Sequence, residues 1–523
     1  MIGEFRHLRL VPSGDVRAKR HDRVQQRIEE AAARFRQLIE EKVASGLPTS
    51  PEELLDVERE IHVLVARECV DPVVGEIIQA AHDSDAVVDK ASQLIGVRPY
   101  LRLQDAHETV AVTLLGGSTV RIRSPYYLER PPKRGRRRGK GRRGKQGNGL
   151  YPRLAVLGIH FRLSPALASE VARLTVMSTA QEAVETLQLR GIKVDRKKVL
   201  ALTGRLAQRG LEHRKWLQEQ AAKGVRGPGS LVGKRLAIGT DGGRVRLREV
   251  NRQRRRRKSG RRGFNAEWRE PKVLIVYEID DQGRKVKRGG VLRYDATLQD
   301  ARGTFAILVA MLLEMGAQDA LEWIIVGDGA AWIWNRIENL VQSVGYDQAK
   351  VTEVVDWYHA VEHLHEVAEL LTGLSVKQRR AWVKHMKDLL FEGDIDGIVA
   401  EIESRCRGRK AKAIRKGITY FVTHQLRMQY RAFEARFIPL GSGAVESCVR
   451  RVVNLRMKGN GIFWEPSNAE DMLHLRAQFL CGRWQSYVAT ILQPREFWTL
   501  NPPVVAPSAS TLTESDTEMS AAA

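Results

Sequence analysis

Apolar positions recur at helical spacing through the first part of the chain, as in RVQQRIEEAAARFRQLIEEKVA, so residues from about Val16 to Ile95 predict amphipathic helices. The period then shortens. VAVTLLGGSTVRIRSPYYL reads as strand, and Pro131 to Gly149, almost wholly Gly, Lys and Arg, follows it. Such a segment has nothing to bury and predicts a disordered basic loop. Helical spacing returns between Ser178 and Gln208. There Ser178 or Thr179 can cap one helix, with Glu182 or Glu185 near its start, and RGIKVD makes a turn in which Asp195 caps a second. Two helices so joined have the shape of a helix-turn-helix.

From Arg235 the pattern becomes that of strands. RLAIGTDGGRVRLREV predicts a strand ending in Asp241, a two-glycine turn and a second strand, hence a hairpin. After a basic insert, NRQRRRRKSGRRG, come EPKVLIVYEID, a buried-looking strand, and GGVLRYDA, its pairing partner. The apolar helix QDARGTFAILVAMLLEM leads to LEWIIVGDG. A helix between strands usually makes a crossover, so the strand ending at Asp328 is expected parallel to the first. AWIWNRIENLVQSV supplies another helix, and AKVTEVVDWYHAVEHLHEVAELL a strand and a helix. Three antiparallel-type strands, helix, strand, helix, strand, helix is the order of the RNase H-like plan.

Residues 375 to about 435 read as helices rich in Lys, Arg and Trp, which fits a helical insertion within that core. The Pro-, Ser- and Thr-rich end, 496–523, has no periodicity and predicts disorder. The expected fold class is therefore α/β, an RNase H-like mixed-sheet core with an all-α insertion, preceded by helical and helix-turn-helix-like DNA-binding regions. Its divisions are 1–110, helical; 111–150, strand-like with the basic loop; 151–232, helix-turn-helix-like; 233–374 and 437–495, core; 375–436, insertion.

Charge adds the class of partner. The 523 residues hold 86 Lys and Arg against 62 Asp and Glu, a net charge of +24. This excess suits a polyanion, foremost nucleic acid, because each neutralised phosphate releases counterions. An anionic membrane surface is the weaker option. No apolar run approaches the ~20 residues of a membrane span, and MIGEFRHLRL carries charges where a signal peptide needs its apolar stretch, so a soluble intracellular, cytoplasmic protein is expected. Cys69, Cys406, Cys448 and Cys481 are scattered and suggest neither a disulfide framework nor a thiolate zinc site. Candidate DNA contacts are Arg196, Lys197, Lys198 and Arg205 on the second helix of the pair, and Arg254, Arg255 and Arg256 in the basic insert. A basic run or a helical hairpin is by itself only a solvated surface; it is the company of a strongly basic chain that favours phosphate contact.

In the RNase H-like plan the first and fourth strands are neighbours with their carboxyl ends at one edge, which sets Asp241 beside Asp328. Paired carboxylates raise each other's pKa unless a cation lies between them. Hard oxygen ligands with room for waters and phosphate oxygens suit Mg²⁺ or Mn²⁺, and two such ions suit in-line phosphodiester chemistry. A third carboxylate is offered by IPLGSGAVESCVRRVVNLRMKGNGIFW, where Ser442 or Gly443 opens a helix with Glu446 in its first turn. Glu465 and Glu470 are alternatives in another register. Arg450, Arg451, Arg456 and Lys458 follow Glu446 at spacings that let several face a phosphate channel.

TDGG (240–243), WREPKVLIVY (268–277), GDGAAWIW (327–334), DWYHAVEHL (356–364) and GSGAVES (441–447) together resemble the DDE transposases of bacterial insertion sequences, in particular the Kra and Lre groups, which are distantly related to Mutator-like transposases. The resemblance covers roughly residues 150–495. It implies that Asp241, Asp328 and Glu446 are a metal-binding catalytic triad, with two Mg²⁺ or Mn²⁺ ions as cofactors. The family's acidic-x-x-His motif falls on Asp356 and His359, expected behind the metal ligands or against a DNA strand. A cysteine pair often precedes the core in that family and is missing from Pro131–Gly149, which bears on a zinc element and not on the triad. The implied reaction is strand cleavage at transposon terminal repeats and attack of the freed 3′-OH on target DNA. Bringing two ends together calls for a homodimer or higher multimer, to which the N-terminal helices are candidates to contribute. An RNase H-like nuclease or resolvase would stop after hydrolysis, and a domesticated transposase would bind DNA with an inactive site.

Other residues have plainer readings. His359 and His363 have the i, i+4 spacing of zinc ligands, but Ala360 stands where an HExxH protease needs Glu. His363 and His365 read as ordinary helix positions. Trp332 and Trp334 read as core, while Trp357 or Trp464 are candidates to stack on an unpaired base.

Overall fold

The computed structural model describes residues 14–129, 148–229, 231–250, 263–371, 373–406 and 410–500. The basic insert carrying Arg254, Arg255 and Arg256, nearly all of the segment 131–149, and residues 501–523 lie outside them.

The N-terminal region is helical as expected: α1 (Gly14–Ala44), α2 (Pro51–Val65), α3 (Asp71–His82) and α4 (Asp85–Gly96). Ser50 caps α2 by accepting the Glu53 N–H, and Pro51 begins the helix, where a missing N–H costs nothing. A hairpin follows, β1 (Leu101–Thr113) with β2 (Thr119–Glu129), and β3 (Asn148–Leu150) pairs antiparallel with β2. Buried Asp71 accepts the N–H groups of Gly116 (3.1 Å) and Ser118 (2.9 Å), which ties the hairpin tip to the helices.

Four helices come next: α5 (Pro152–Val156), α6 (Pro165–Met177), α7 (Ala180–Leu189) and α8 (Arg196–Ala222). Thr179 and Glu182 form a capping box on α7, and Asp195 caps α8 through the Lys198 N–H (2.9 Å). The second helix, expected to end near Gln208, continues to Ala222. Its later turns bury Leu206, Ala207, Gly210, His213 and Arg214 against neighbouring helices, while its first turns bury Val199 and Thr203 and leave one face exposed.

The central sheet is mixed, in the order β10-β9-β4-β7-β8. Its strands are β4 (Arg235–Gly242), β7 (Lys272–Ile279), β8 (Leu292–Thr297), β9 (Glu322–Gly327) and β10 (Val351–Val355). β4, β9 and β10 are mutually parallel, while β7 runs antiparallel to β4 and to β8. The inward-facing Leu236, Ile238, Val273, Ile275 and Ile325 are fully or almost fully buried, as strands covered on both faces require. Helix α9 (Ala301–Met315) joins β8 to β9, and α10 (Ala331–Trp334) with α11 (Ile337–Val344) join β9 to β10.

One expectation is overturned here. β4 does not form a hairpin across Gly242–Gly243; β5 (Val245–Val250) pairs with β6 (Phe264–Arg269) in a separate two-stranded sheet. The register runs from Arg235 opposite Ile279 to Gly242 opposite Lys272, and resumes in step from Val245 opposite Arg269 to Val250 opposite Phe264. β4–β5 and β6–β7 are thus one long antiparallel ribbon whose ladder breaks at Pro271, which has no N–H to give. The Gly243 N–H bridges the break by donating to the Pro271 carbonyl (2.8 Å). The chain reverses between Val250 and Phe264, so the glycines carry it onward.

After β10 come α12 (Trp357–Leu370) and then α13 (Val376–Glu392), α14 (Ile395–Ser404), α15 (Ala411–His424) and α16 (Tyr430–Ala435), so residues 375–436 are helical where helices were expected. The chain returns to the sheet in α17 (Gly443–Val449), a π-helical turn (Arg450–Asn454) and α18 (Leu455–Met457), then α19 (Pro466–Leu480) and α20 (Trp484–Leu492). The ordered core extends beyond the expected 495: Trp498 is buried edge-on to His213 and Trp216 and donates its indole N–H to Thr490 O (3.0 Å). Among the described residues no helix is long and apolar enough to cross a membrane.

Candidate active site at the carboxyl edge of the sheet

The parallel registers bring acids to one level. β4 and β9 are paired from Arg235 opposite Glu322 to Gly239 opposite Val326, and two residues further along stand Asp241 and Asp328. β9 and β10 are paired up to Gly327 opposite Val355, and one residue further stand Asp328 and Asp356. The Asp356 N–H still donates to Gly327 O (2.8 Å), so the alignment persists to that point.

Asp241 is half-buried and accepts the Gly242 N–H at 2.6 Å. Burial holds its carboxyl above the ordinary carboxylate value; the Gly242 N–H opposes this, the Asp328 and Glu446 charges add to it, and His359 works against it. Three carboxylates and a histidine therefore share one electrostatic neighbourhood. Asp328 sits in a turn in which its Oδ1 accepts the Ala330 N–H (3.0 Å) and its carbonyl accepts the Trp334 indole N–H (2.7 Å). Both fix the carboxylate at the strand end.

Glu446 arrives on α17, which packs across β4 and β7. The packing turns on Gly239: a Cβ there would run into the Val445 side chain, so glycine lets the helix lie directly on the strand. Side chains alternate along a strand, so Asp241, two residues on, points to the face that α17 covers. Glu446 is exposed in the first turn of that helix, with the Ser442 hydroxyl 3.5 Å from its Oε1. Beyond it the helix widens into the π-turn, a distortion often found at functional sites.

Asp356 is completely buried. One oxygen accepts the His359 N–H (3.0 Å) and caps α12; the other accepts the Ser442 N–H at the start of the Glu446 helix. The neighbouring Trp357 N–H donates to Leu440 O (2.9 Å). Asp356 therefore clamps the Glu446 segment to the sheet edge and has no surface left for a nucleic acid. His359 is about one-third exposed, with its Nδ1 3.3 Å from Glu362.

The helices after α12 supply residues that sequence reasoning missed. On α15, Tyr420 packs so closely on Gly329 that a Cβ there would meet its ring, and the His424 ring nitrogen lies 3.2 Å from Gly329 O. The Tyr420 hydroxyl is buried without a hydrogen-bond partner among the described residues, and burial, then the Asp328 charge, pushes it well above the ordinary tyrosine value. Only the glycine after Asp328 hinted at such an approach.

The remaining candidates fall in several places. Arg196, Lys197, Lys198 and Arg205 are exposed on the first turns of α8. Arg450, Arg451 and Lys458 are exposed on and beyond the Glu446 helix, Arg451 standing beside Tyr294 and Lys285 on the β8 side. Arg456 departs from expectation: it lies over the Trp464 ring (5.2 Å) and donates to Thr175 O (3.2 Å), half-buried between elements. Trp464 in turn donates its indole N–H to Met457 O (3.1 Å), and Trp357 sits edge-on to Tyr430 and Phe391, so both are packing residues. Trp332 and Trp334 pack as expected. Glu470 accepts from Thr297, Leu298 and Arg214 at the end of β8, two strands across the sheet from Asp241. His363 lies tilted against Tyr420 (3.8 Å between ring centres) and pairs with Glu366 (2.9 Å).

The donor set of Asp241, Asp328 and Glu446 is all hard oxygen, and the upward push on Asp241 is what a divalent cation relieves. The acids do not form a closed cage: among the described residues no group of three or more His, Cys, Asp or Glu side chains is set to hold a metal ion. Mg²⁺ keeps several waters and uses one or two carboxylates plus substrate phosphates, so an open set fits that ion better than Zn²⁺. No protein-family model matches the chain, and no curated protein matches it.

Proposed function

We propose that the protein is a DNA transposase with an RNase H-like catalytic core, in which Asp241, Asp328 and Glu446 hold divalent cations at the scissile phosphate. The observation that carries this reading is the register that levels Asp241 with Asp328 while Gly239 seats the Glu446 helix above them. The sheet order, third-second-first-fourth-fifth with only the second strand antiparallel, supports the core, and the wholly helical stretch from α13 to α16 supports the insertion.

In this reading each group has one task. Asp241 and Asp328, each fixed by a backbone N–H, present oxygens at the strand edge. Glu446 supplies the third oxygen ligand from a helix start, and Asp356 positions it through Ser442. Mg²⁺ or Mn²⁺ held there supplies activation of an attacking oxygen and neutralisation of the departing one. Arg450 and Lys458 beyond Glu446 are suited to grip phosphates on either side, with the chain acting as a dimer or higher multimer that joins two element ends.

The test is strand cleavage and strand transfer on duplexes bearing the repeats that flank the coding DNA, with Mg²⁺ or Mn²⁺. Wild type is expected to cut and to join a pre-cut 3′ end to target DNA, and Asp328→Asn to do neither while still binding DNA. Cutting without joining would identify a nuclease, and activity equal in both proteins would remove the triad from the chemistry.

A further inference from the structure

Between the tip of the β1–β2 hairpin, the segment around Phe161 and the first turns of α8 lies an open groove of ≈ 840 Å³. Its cationic lining is Arg67, Arg162, Lys193, Lys198 and Arg205, and no carboxylate lines it. Arg67 is 3.8 Å from Glu68; the other four have no carboxylate partner among the described residues. By contrast, Arg173 and Arg190 nearby are both paired with Glu170 (2.7 and 2.5 Å). Like charges gathered in one concavity repel, and that cost is relieved by a polyanion.

The groove is also built rigidly. Phe161 and Arg162 both adopt the left-handed backbone region, at φ 59° and 60°, which side-chain-bearing residues rarely occupy. They are held there by strand-like bonds to β1: the Thr113 N–H donates to Arg162 O (2.9 Å) and the Ser164 N–H to Thr113 O (3.0 Å). The strained pair aims Arg162 outward and sets the Phe161 ring under the Arg205 guanidinium (5.2 Å). At the floor, Gly117 of the hairpin tip meets Gly191 of the α7–α8 turn; a Cβ on Gly117 would be 3.0 Å from Gly191 O. The N-terminal helices and hairpin and the helical hairpin therefore share one cationic surface.

We infer that this groove, and not α8 alone, is the docking site for a duplex DNA backbone, with Arg162, Lys193, Lys198 and Arg205 each taking a phosphate. It rests on the transposase reading only in naming DNA as the polyanion. Guanidinium and ammonium groups so spaced along a groove read charge and backbone shape, so the contact is expected to position the duplex with little dependence on base sequence.

The test is binding of a duplex of about 30 base pairs across a KCl series, for wild type and the Arg162→Ala/Lys193→Ala/Lys198→Ala/Arg205→Ala variant. A charge-matched control carries alanine at Lys90, Lys223, Lys377 and Lys412, which are exposed elsewhere. The groove variant is expected to bind at least about tenfold more weakly, with a salt slope shallower by roughly 3 to 4, near 0.9 per lost phosphate. The control is expected to bind like wild type. Protection of Lys193 and Lys198 from amine acetylation by the same duplex, measured on wild type, checks the site independently of any folding defect. Unchanged slope in the groove variant, equal loss in the control, no protection, or stronger protection by duplex RNA would each overturn the inference. Loss of binding in the groove variant while Asp328→Asn cuts as well as wild type would leave the groove standing and remove the transposase reading.

Discussion

Val445 occupies the space that a side chain on Gly239 would fill, so the helix bearing Glu446 lies flush on the strand that carries Asp241. The distance between two proposed ligands from distant parts of the chain is set by a missing methyl group. Gly239→Ala is expected to lift α17, costing roughly 1–3 kcal/mol as overpacked cores do. Urea unfolding checks the stability, and cleavage is expected to fall much further than that loss explains. Equal activity in a stably folded variant would show that the spacing is not critical.

The raised Asp241 carboxyl makes a prediction in the absence of divalent cations. An acid whose folded pKa is raised binds its proton more tightly in the native state, so its contribution is full below about pH 4 and is lost as pH rises through the raised value. Asp241→Asn is therefore expected to melt higher than wild type at neutral pH without metal, with the difference closing on acidification. Added Mg²⁺ or Mn²⁺ is expected to raise the melting temperature of wild type and not of the variant. Melting curves against pH and cation decide it.

Asp356 offers a separable test of positioning. Asp356→Ala removes the cap of α12 and strands the Ser442 N–H, at a cost of roughly 2–4 kcal/mol from a lost cap and a buried unsatisfied donor. Asp356→Asn keeps one acceptor and is expected to fold. If Asp356 only braces the fold, Asn restores cleavage in proportion to stability. If it aims Glu446, kcat stays depressed with KM for DNA unchanged.

Away from the acids, a buried network joins α8 to β8 and α19. Asp295 accepts from His474 (2.9 Å), whose other ring nitrogen meets the Tyr487 hydroxyl (2.9 Å), while Arg214 lies between Asp295 and Glu470. Burial pushes Asp295 up, but His474 and Arg214 outweigh it and hold the carboxyl low. Arg214→Met is expected to cost about 3–5 kcal/mol at neutral pH by removing the buried positive charge between Asp295 and Glu470. Asp295's stabilisation is present above the ordinary carboxylate value and is lost as pH falls through its depressed one. The deficit of the variant should therefore shrink on acidification, which unfolding at two pH values measures.

What was legible in the chain follows from how local its causes are. Asp241 and Asp328 stand out because glycines follow each one at the end of an apolar strand, and a crossover helix makes their strands parallel. The end of α8 was not legible, because burial of Arg214 and His213 depends on partners hundreds of residues away. Tyr420 against Gly329 was hidden for the same reason. Gly242–Gly243 misled because a glycine pair is the usual sign of a hairpin turn, whereas here it passes beneath Val453 and a proline breaks the ladder opposite. Trp498 was lost in a tail whose composition is otherwise that of a linker.

The ribbon formed by β4–β5 and β6–β7 has a consequence for how the protein tolerates change. Its reversal lies beyond Val250 and Phe264, a strand's length from Asp241, and no ladder pair of the central sheet depends on the residues that close it. Halving or doubling that closing segment alters loop entropy by only about 0.6 kcal/mol. Its length is therefore free to vary, by design or by drift, while the carboxyl edge of the sheet keeps its register.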